Sequence, residues 1–262
     1  FYNLKAGKVY VAFSGGVDSL VLLNLVRELY PGIGGVFIDT GLEYPEIRKF
    51  VSSIDNIIVL KPKMTFYDVI QKYGYPVISK EQAYFIYQVR NTHSELLRSM
   101  RMDGVGPHHM FKVSEKWKYL INAPFKISNA CCDILKKRPA HSYDKKTGKF
   151  PFIGIMRGDS YNRRFLTERS CNNFYKVDKA YPILEWSTVD IWEYLRVNDI
   201  KYCSIYDTGV KHTGCMYCMF GCHLEKHPNR FELMKGTHPN IYKYCIDSLG
   251  MGKVLDYIGV TY

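Results

Sequence analysis

The stretch Val9-Tyr10-Val11-Ala12-Phe13-Ser14-Gly15-Gly16-Val17-Asp18-Ser19-Leu20-Val21-Leu22-Leu23 sets the fold class. Its first five residues form a short, β-prone apolar run, the pattern of a strand buried in a parallel sheet. A Gly-Gly turn follows at once. From Ser19 to Leu29 the apolar residues cover a broad helical face, and Pro31-Gly32 ends the helix. Strand, glycine turn and helix in immediate succession make a phosphate-sized cradle. Glycines let the backbone approach an anion, successive amides point into the turn, and the helix aims its positive end there.

Outward from this unit the alternation continues. Gly35–Ile38 is predicted as a second strand ending at Asp39-Thr40-Gly41, residues 45–51 as a helix, 57–60 as a third strand and 65–73 as a helix. Strands alternating with helices imply an α/β, doubly wound parallel sheet with right-handed crossovers. Ligands of such sheets bind beyond the carboxyl ends of the strands, which singles out loops 14–19 and 39–41. One long helix is predicted over Lys80–Met102, followed by a Gly-Pro-His-His loop and a basic, aromatic stretch from Phe111 to Tyr119. Strand character returns over Phe152–Ile155, and Ser187-Thr188 opens a helix to about Val197. We expect a nucleotide-binding domain over 1–200, with a helical insertion at 80–126 covering the site, and a Cys-rich subdomain over 201–262.

Composition narrows the class. With 47% hydrophobic residues in 262, the chain can bury a core, and no apolar run nears the roughly 20 residues that cross a bilayer. Phe1–Lys5 has no secretory pattern and no initiating Met, so a cytoplasmic protein is expected, its numbering starting inside a longer product. The net charge of +11 is scattered, favouring a polyanionic partner, either a nucleotide or, through the basic insertion, RNA or DNA. A homo-oligomer is expected without a specific signal. Eight cysteines in a reducing compartment point to metal or redox chemistry.

In the cradle, Ser14, Gly15, Gly16, Asp18 and Ser19 are the candidate phosphate ligands. The pattern is not Gly-x4-Gly-Lys-Ser/Thr, so γ-phosphate hydrolysis is not indicated. It resembles the loop of the ATP pyrophosphatase (PP-loop) superfamily. Phe37-Ile38-Asp39-Thr40-Gly41-Leu42-Glu43-Tyr44-Pro45-Glu46 resembles the second signature of the phosphoadenosine phosphosulfate (PAPS) reductase family within it. Gly154-Ile155-Met156-Arg157-Gly158-Asp159-Ser160-Tyr161-Asn162-Arg163-Arg164 looks like that family's Gly-x-Arg motif with one extra spacer residue, and Tyr181–Trp186 with Asp190-Ile191-Trp192 like its Pro-x-x-x-Trp…Asp-(Ile/Val)-Trp element. The resemblance implies an adenine nucleotide α-hydrolase-like fold, with Asp39, Thr40 and Gly41 shaping the adenosine side. Lys136, Arg157 and Arg163 would face developing negative charge, the arginines suiting sulfate or phosphate oxygens.

Cys131-Cys132 followed by Lys136 and Pro139, then Cys215-Met216-Tyr217-Cys218, resembles the family's iron–sulfur subset. There, the four matching thiolates hold a [4Fe–4S] cluster beside the nucleotide. Structural zinc is the lesser alternative, and four inert thiols a third. Ser128-Asn129 can cap the helix carrying the pair. Cys222 and His223 could serve behind the ligands or replace one; His108, His109, His212 and His227 read as solvated.

Two departures separate this chain from the family's reductases. Residues 254–262 carry no Glu-Cys-Gly-Leu-His segment, and the loop has Gly-Gly-x-Asp where the reductases commonly have Gly-Ala-Glu-Asp. The Gly-Gly form resembles the ATP-using members, with Mg²⁺ accompanying ATP. The leading expectation is ATP use with pyrophosphate release, coupled to cluster-assisted sulfur transfer or redox chemistry with a sulfur donor. The alternative is reduction of adenosine 5′-phosphosulfate (APS) or PAPS with a thiol reductant protein, using a non-standard nucleophile among Cys171, Cys203, Cys222 and Cys245.

Overall fold

The computed structural model describes residues 1–106, 109–159, 178–211 and 213–262. In chain order its principal elements are β1 (Val9–Ala12), α1 (Val17–Leu29), β2 (Gly35–Ile38), α2 (Pro45–Ser52), β3 (Ile57–Leu60), α3 (Phe66–Lys72), α4 (Lys80–Asn91) and α5 (Glu95–Asp103). There follow α6 (Ala130–Cys132), α7 (Arg138–Thr147), β4 (Phe150–Ile153), α8 (Thr188–Val197), α9 (Arg230–Thr237), α10 (Pro239–Lys243) and α11 (Met251–Tyr257). The chain divides into two compact units, Phe1–Pro62 with Arg138–Thr213 and Lys63–Lys137 with Gly214–Tyr262. No helix among the described residues is long and apolar enough to cross a membrane.

The first unit is built on a four-stranded sheet in the order β3-β2-β1-β4, every pairing parallel. Central β1 explains its own composition: Val9, Val11 and the following Phe13 are buried, as a strand flanked on both sides requires. The chain builds outward from β1 through β2 to β3, then returns to place β4 on the other side of β1. The order therefore reverses beside β1, and the crevice beyond the carboxyl ends of β1 and β4 is the switch point at which α/β sheets of this class take ligands. This is the α/β, doubly wound parallel architecture expected from the sequence. β4 begins two residues before the expected strand and ends at Ile153, because Gly154 leaves the sheet to lie against the start of α1.

The second unit is mainly helical. Its α4 and α5 correct the single helix expected over 80–102. Thr92 is extended at ψ 141°, and the Ser94 side chain accepts from Leu97 N–H, starting a new helix. Hydrophobic periodicity does not register such a break, whereas the polar run Asn91–Ser94 offers side-chain alternatives to the helical ladder. An isolated parallel bridge pairs Ile78 with Phe220, and Gly221 N–H donates to Ile78 carbonyl at 2.8 Å, so the segment carrying Cys215 and Cys218 runs beside the start of α4.

Candidate functional site

The loop after β1 is shaped by glycine and stitched by serine. Gly15 sits at φ +77°, in the left-handed region. Ser14 N–H donates to Ser19 Oγ at 3.1 Å, the two serine hydroxyls lie 3.1 Å apart, and Ser19 Oγ donates to Gly16 carbonyl at 2.9 Å. α1 begins at Val17 with no side-chain cap from its own N-cap residue, Gly16. As at any helix start its first-turn amides have no intrahelical partner, which makes this end a place where anions bind; the first of them, Val17 N–H, donates to the Tyr206 hydroxyl at 3.0 Å. Asp18 stands in this first turn, so its carboxylate is close to the helix's positive end.

Two further loops border the same crevice. After β4, a Cβ on Gly154 would stand 3.1 Å from the Asp18 carbonyl oxygen and 3.3 Å from Ser19 Cα. Glycine lets this loop pack closely on the backbone of α1, where any side chain would force the two apart by a few tenths of an ångström. Beyond it Arg157 N–H donates to Leu184 carbonyl at 2.8 Å, and the guanidinium pairs with Glu185 at the surface. After β2, Asp39 accepts from Arg48 at 2.7 Å and from Gly41 N–H at 3.2 Å. Glu43 is buried and accepts from Thr40 N–H at 2.9 Å, Thr40 Oγ1 at 2.7 Å and Leu42 N–H at 3.2 Å. Three donors offset the cost of burying that carboxylate and fix loop 39–43.

The second unit gathers the four cysteines of the Cys-Cys and Cys-x-x-Cys motifs. Cys131 and Cys132 end the short α6, and a π-helical turn over Asp133–Lys137 follows. Ser128 Oγ accepts from Ala130 N–H at 3.3 Å, whereas Asn129, the N-cap residue, makes no side-chain cap bond. A hydrogen bond from the Cys131 thiol, with the nearby charges of Lys80, Lys136 and Lys137, holds Cys132 well below the ordinary thiol range. The same pairing and burial push Cys131 up, and the nearby Cys218 and Cys215 add to the rise. Cys218 N–H closes a tight turn onto Cys215 carbonyl at 3.1 Å. Arg230 donates to Cys218 carbonyl at 2.8 Å and is itself gripped by Glu225. The donor chemistry fits a four-thiolate centre, although among the described residues no three His, Cys, Asp or Glu side chains close into a set able to hold a metal ion.

Cys222 is turned away, its thiol donating to Met219 carbonyl at 3.0 Å, and burial pushes it up to about 12. His223 sets its ring edge against Trp117, and its Nδ1 is buried without a hydrogen-bond partner. Cys203 and Cys245 are buried, with burial raising both thiols, as suits inert core cysteines. Arg163, Cys171, His108 and His212 lie outside the described residues. Sequence reading passes over Tyr206 and Thr213 at the phosphate loop, Glu43 beneath the second loop, and Lys80 and Arg230 around the cysteines. Glu43 stands within a recognisable motif, while the others carry no local signal.

The phosphoadenosine phosphosulfate reductase domain matches residues 8–105 and 87–220. An uncharacterised protein of Methanocaldococcus jannaschii is 26% identical over 259 residues, covering 95% of this chain and 50% of the relative. A second from the same organism is 28% identical over 220 residues, covering 80% of this chain and 36% of the relative. The chain thus spans half or less of these relatives. Adenosine 5′-phosphosulfate reductase of Geobacillus kaustophilus is 23% identical over 218 residues, covering 83% of this chain and 75% of that enzyme. The crystal structure of PAPS reductase from Candida auris in a phosphate complex aligns with TM-score 0.43 and 16% identity, covering 79% of this chain and 81% of that one.

Proposed function

The chain belongs to the phosphoadenosine phosphosulfate reductase domain family, and from that premise we propose that it is an enzyme of sulfur metabolism that binds an adenine nucleotide with its phosphoryl chain in loop 14–19. The observation that carries the reading is the loop itself: a serine-stitched Gly-Gly turn at the head of α1, located where the strand order reverses. ATP is the proposed nucleotide. An acceptor oxygen attacks the α-phosphorus, the bond to the bridging oxygen breaks, and pyrophosphate leaves with the electron pair. Loop amides, Ser14 and Ser19 bind and stabilise that leaving group, and Asp18 offers a carboxylate to the Mg²⁺ that ATP brings with it. Asp39, Thr40 and Gly41, pinned by Glu43 and Arg48, form the adenosine side. Arg157 and Arg163 are assigned to the anion, Arg157 exchanging Glu185 for it.

Cys131, Cys132, Cys215 and Cys218 are the proposed ligands of a [4Fe–4S] cluster, with the Lys136 charge beside Cys132 favouring thiolate. Such a cluster supplies redox or sulfur-handling capacity when bound. A second reading, reduction of adenosine 5′-phosphosulfate with a thiol reductant, is favoured by the activity for which the bacillary relatives are named. The deciding assay incubates anaerobically purified protein either with ATP and Mg²⁺ or with adenosine 5′-phosphosulfate and a thiol. Pyrophosphate release in the first arm is the expected result. Sulfite in the second arm with no pyrophosphate in the first would replace ATP by the sulfonucleotide, and silence in both, with no nucleotide binding, would end the proposal.

A further inference from the structure

Segment 204–208 forms a short 3-10 turn packed against α2, and it brings Tyr206 to the phosphate loop from nearly 190 positions away in sequence. Val17 N–H, the first amide of α1, donates to the Tyr206 hydroxyl at 3.0 Å. The same hydroxyl lies 3.2 Å from Thr213 Oγ1. Gly16 shows how tightly these oxygens converge. A Cβ placed there would stand 2.6 Å from Thr213 Oγ1, 3.1 Å from the Tyr206 hydroxyl and 3.4 Å from Ser14 Oγ. Three hydroxyls, one from the loop itself and two from a segment far along the chain, therefore crowd one bare glycine face at the head of a helix.

The phenol is also held rigidly. Its ring packs edge-on against Trp192, with centroids 5.5 Å apart, and Trp192 packs in the same way on Tyr202 at 5.1 Å. The Asp190-Ile191-Trp192 element thereby acquires a physical role, bracing the tyrosine. Burial, the largest cause, and the Asp18 charge raise the phenol above its ordinary range, so at neutral pH it keeps its proton and can donate. One of its lone pairs accepts from Val17 N–H, and its single proton can go to Thr213 or to a ligand.

We propose that Tyr206 and Thr213 form the second wall of the anion site, Tyr206 donating its hydroxyl proton to a tetrahedral oxyanion bound in loop 14–19. The proposal rests on the assignment of that loop to phosphate. The oxyanion is a phosphoryl group of a pyrophosphate chain or the sulfuryl end of a phosphosulfate, which present the same acceptor geometry. In the free protein the phenol lies within hydrogen-bond distance of Thr213 Oγ1, and a bound oxyanion takes the phenol's proton in its place. A merely structural role, capping the Val17 amide, would support α1 without touching the ligand.

Isothermal titration of the wild type, Tyr206→Phe and Thr213→Val with inorganic pyrophosphate, adenosine 5′-phosphosulfate and adenosine separates the two roles. The wild type should bind at least one of the anions. Tyr206→Phe should weaken that binding roughly ten-fold or more, the range for a hydrogen bond to a charged group, and leave adenosine unchanged. Thr213→Val should weaken it less, and it stands in if Tyr206→Phe does not fold. Whichever anion loses affinity identifies the group the phenol reads. Unchanged or tighter anion binding by Tyr206→Phe, with only a lower melting temperature, overturns the proposal while leaving the loop assignment intact. Failure of the wild type to bind either anion removes both.

Discussion

Gly15 is held at φ +77°, and a methyl group there would meet Ile47 Cγ2 at 2.8 Å and Val51 Cγ2 at 3.0 Å, both on α2. Gly15→Ala therefore combines a strained backbone with overpacking and should cost roughly 1–3 kcal/mol in urea unfolding. It should also weaken anion binding, because the loop cannot keep its shape. Gly32→Ala is the control, having no atom within 4 Å of its added methyl and no positive φ. Equal stability of the two variants would sink the argument. At this scale the Gly-Gly turn was legible because strand, glycines and helix are contiguous. Gly154 was legible only as the head of a motif, since what it does, passing against the Asp18 and Ser19 backbone, is a tertiary contact. Tyr206 and Thr213 were illegible for the same reason. Nothing in Ser204–Thr208 announces that one of its side chains reaches an amide on α1.

Among the elements, helix starts were the most readable features, and α8 makes the case. Ser187 and Asp190 form a reciprocal capping box: the serine hydroxyl accepts from Asp190 N–H, and the Asp190 carboxylate accepts from Ser187 N–H at 2.7 Å. α8 carries Trp192, the brace for Tyr206, so its first turn matters to the phosphate loop. Ser187→Ala should cost about 1 kcal/mol in stability. The backbone and hydroxyl bonds from Ser187 hold Asp190 below its ordinary value of 3.8, and Thr65 does the same for Asp68 at the start of α3. A carboxylate depressed in the folded state contributes stability above its unfolded value and loses it as pH falls through the folded one. Unfolding midpoints should accordingly decline below about pH 4, and less steeply in Asp190→Asn, which no longer has that charge to lose; identical acid limbs would refute the link. The long helix expected over 80–102 failed where the box succeeded. Its caps at Ser79 and Ser94 are equally local, but a continuous apolar pattern hid the second one.

For the whole molecule, the chain path has a mechanical consequence. The unit holding the cysteines consists of two segments, Lys63–Lys137 and Gly214–Tyr262, separated by the chain's passage through the other unit. Cys131 and Cys132 belong to the first segment and Cys215 and Cys218 to the second, so four-thiolate ligation would staple them, closing a loop of 215 − 132 = 83 residues. Closing so long a loop removes much conformational entropy from the unfolded chain, and metal binding free energy becomes folding free energy. The spacing of these cysteines was legible at once; what holds the second pair was not. Arg230, at the start of α9, fastens the Cys218 carbonyl and is gripped in turn by Glu225, an arrangement with no sequence signature. Anaerobically purified protein should be brown and carry about four irons per chain. Chelation should bleach it and lower the melting temperature, by more than chelator treatment of a Cys132→Ser variant, which cannot complete the set. Arg230→Met should reduce iron content while every cysteine remains. About one zinc per chain and no iron would transfer the site to a structural zinc. Full iron in Cys132→Ser, or a melting temperature indifferent to chelation, would remove the staple altogether.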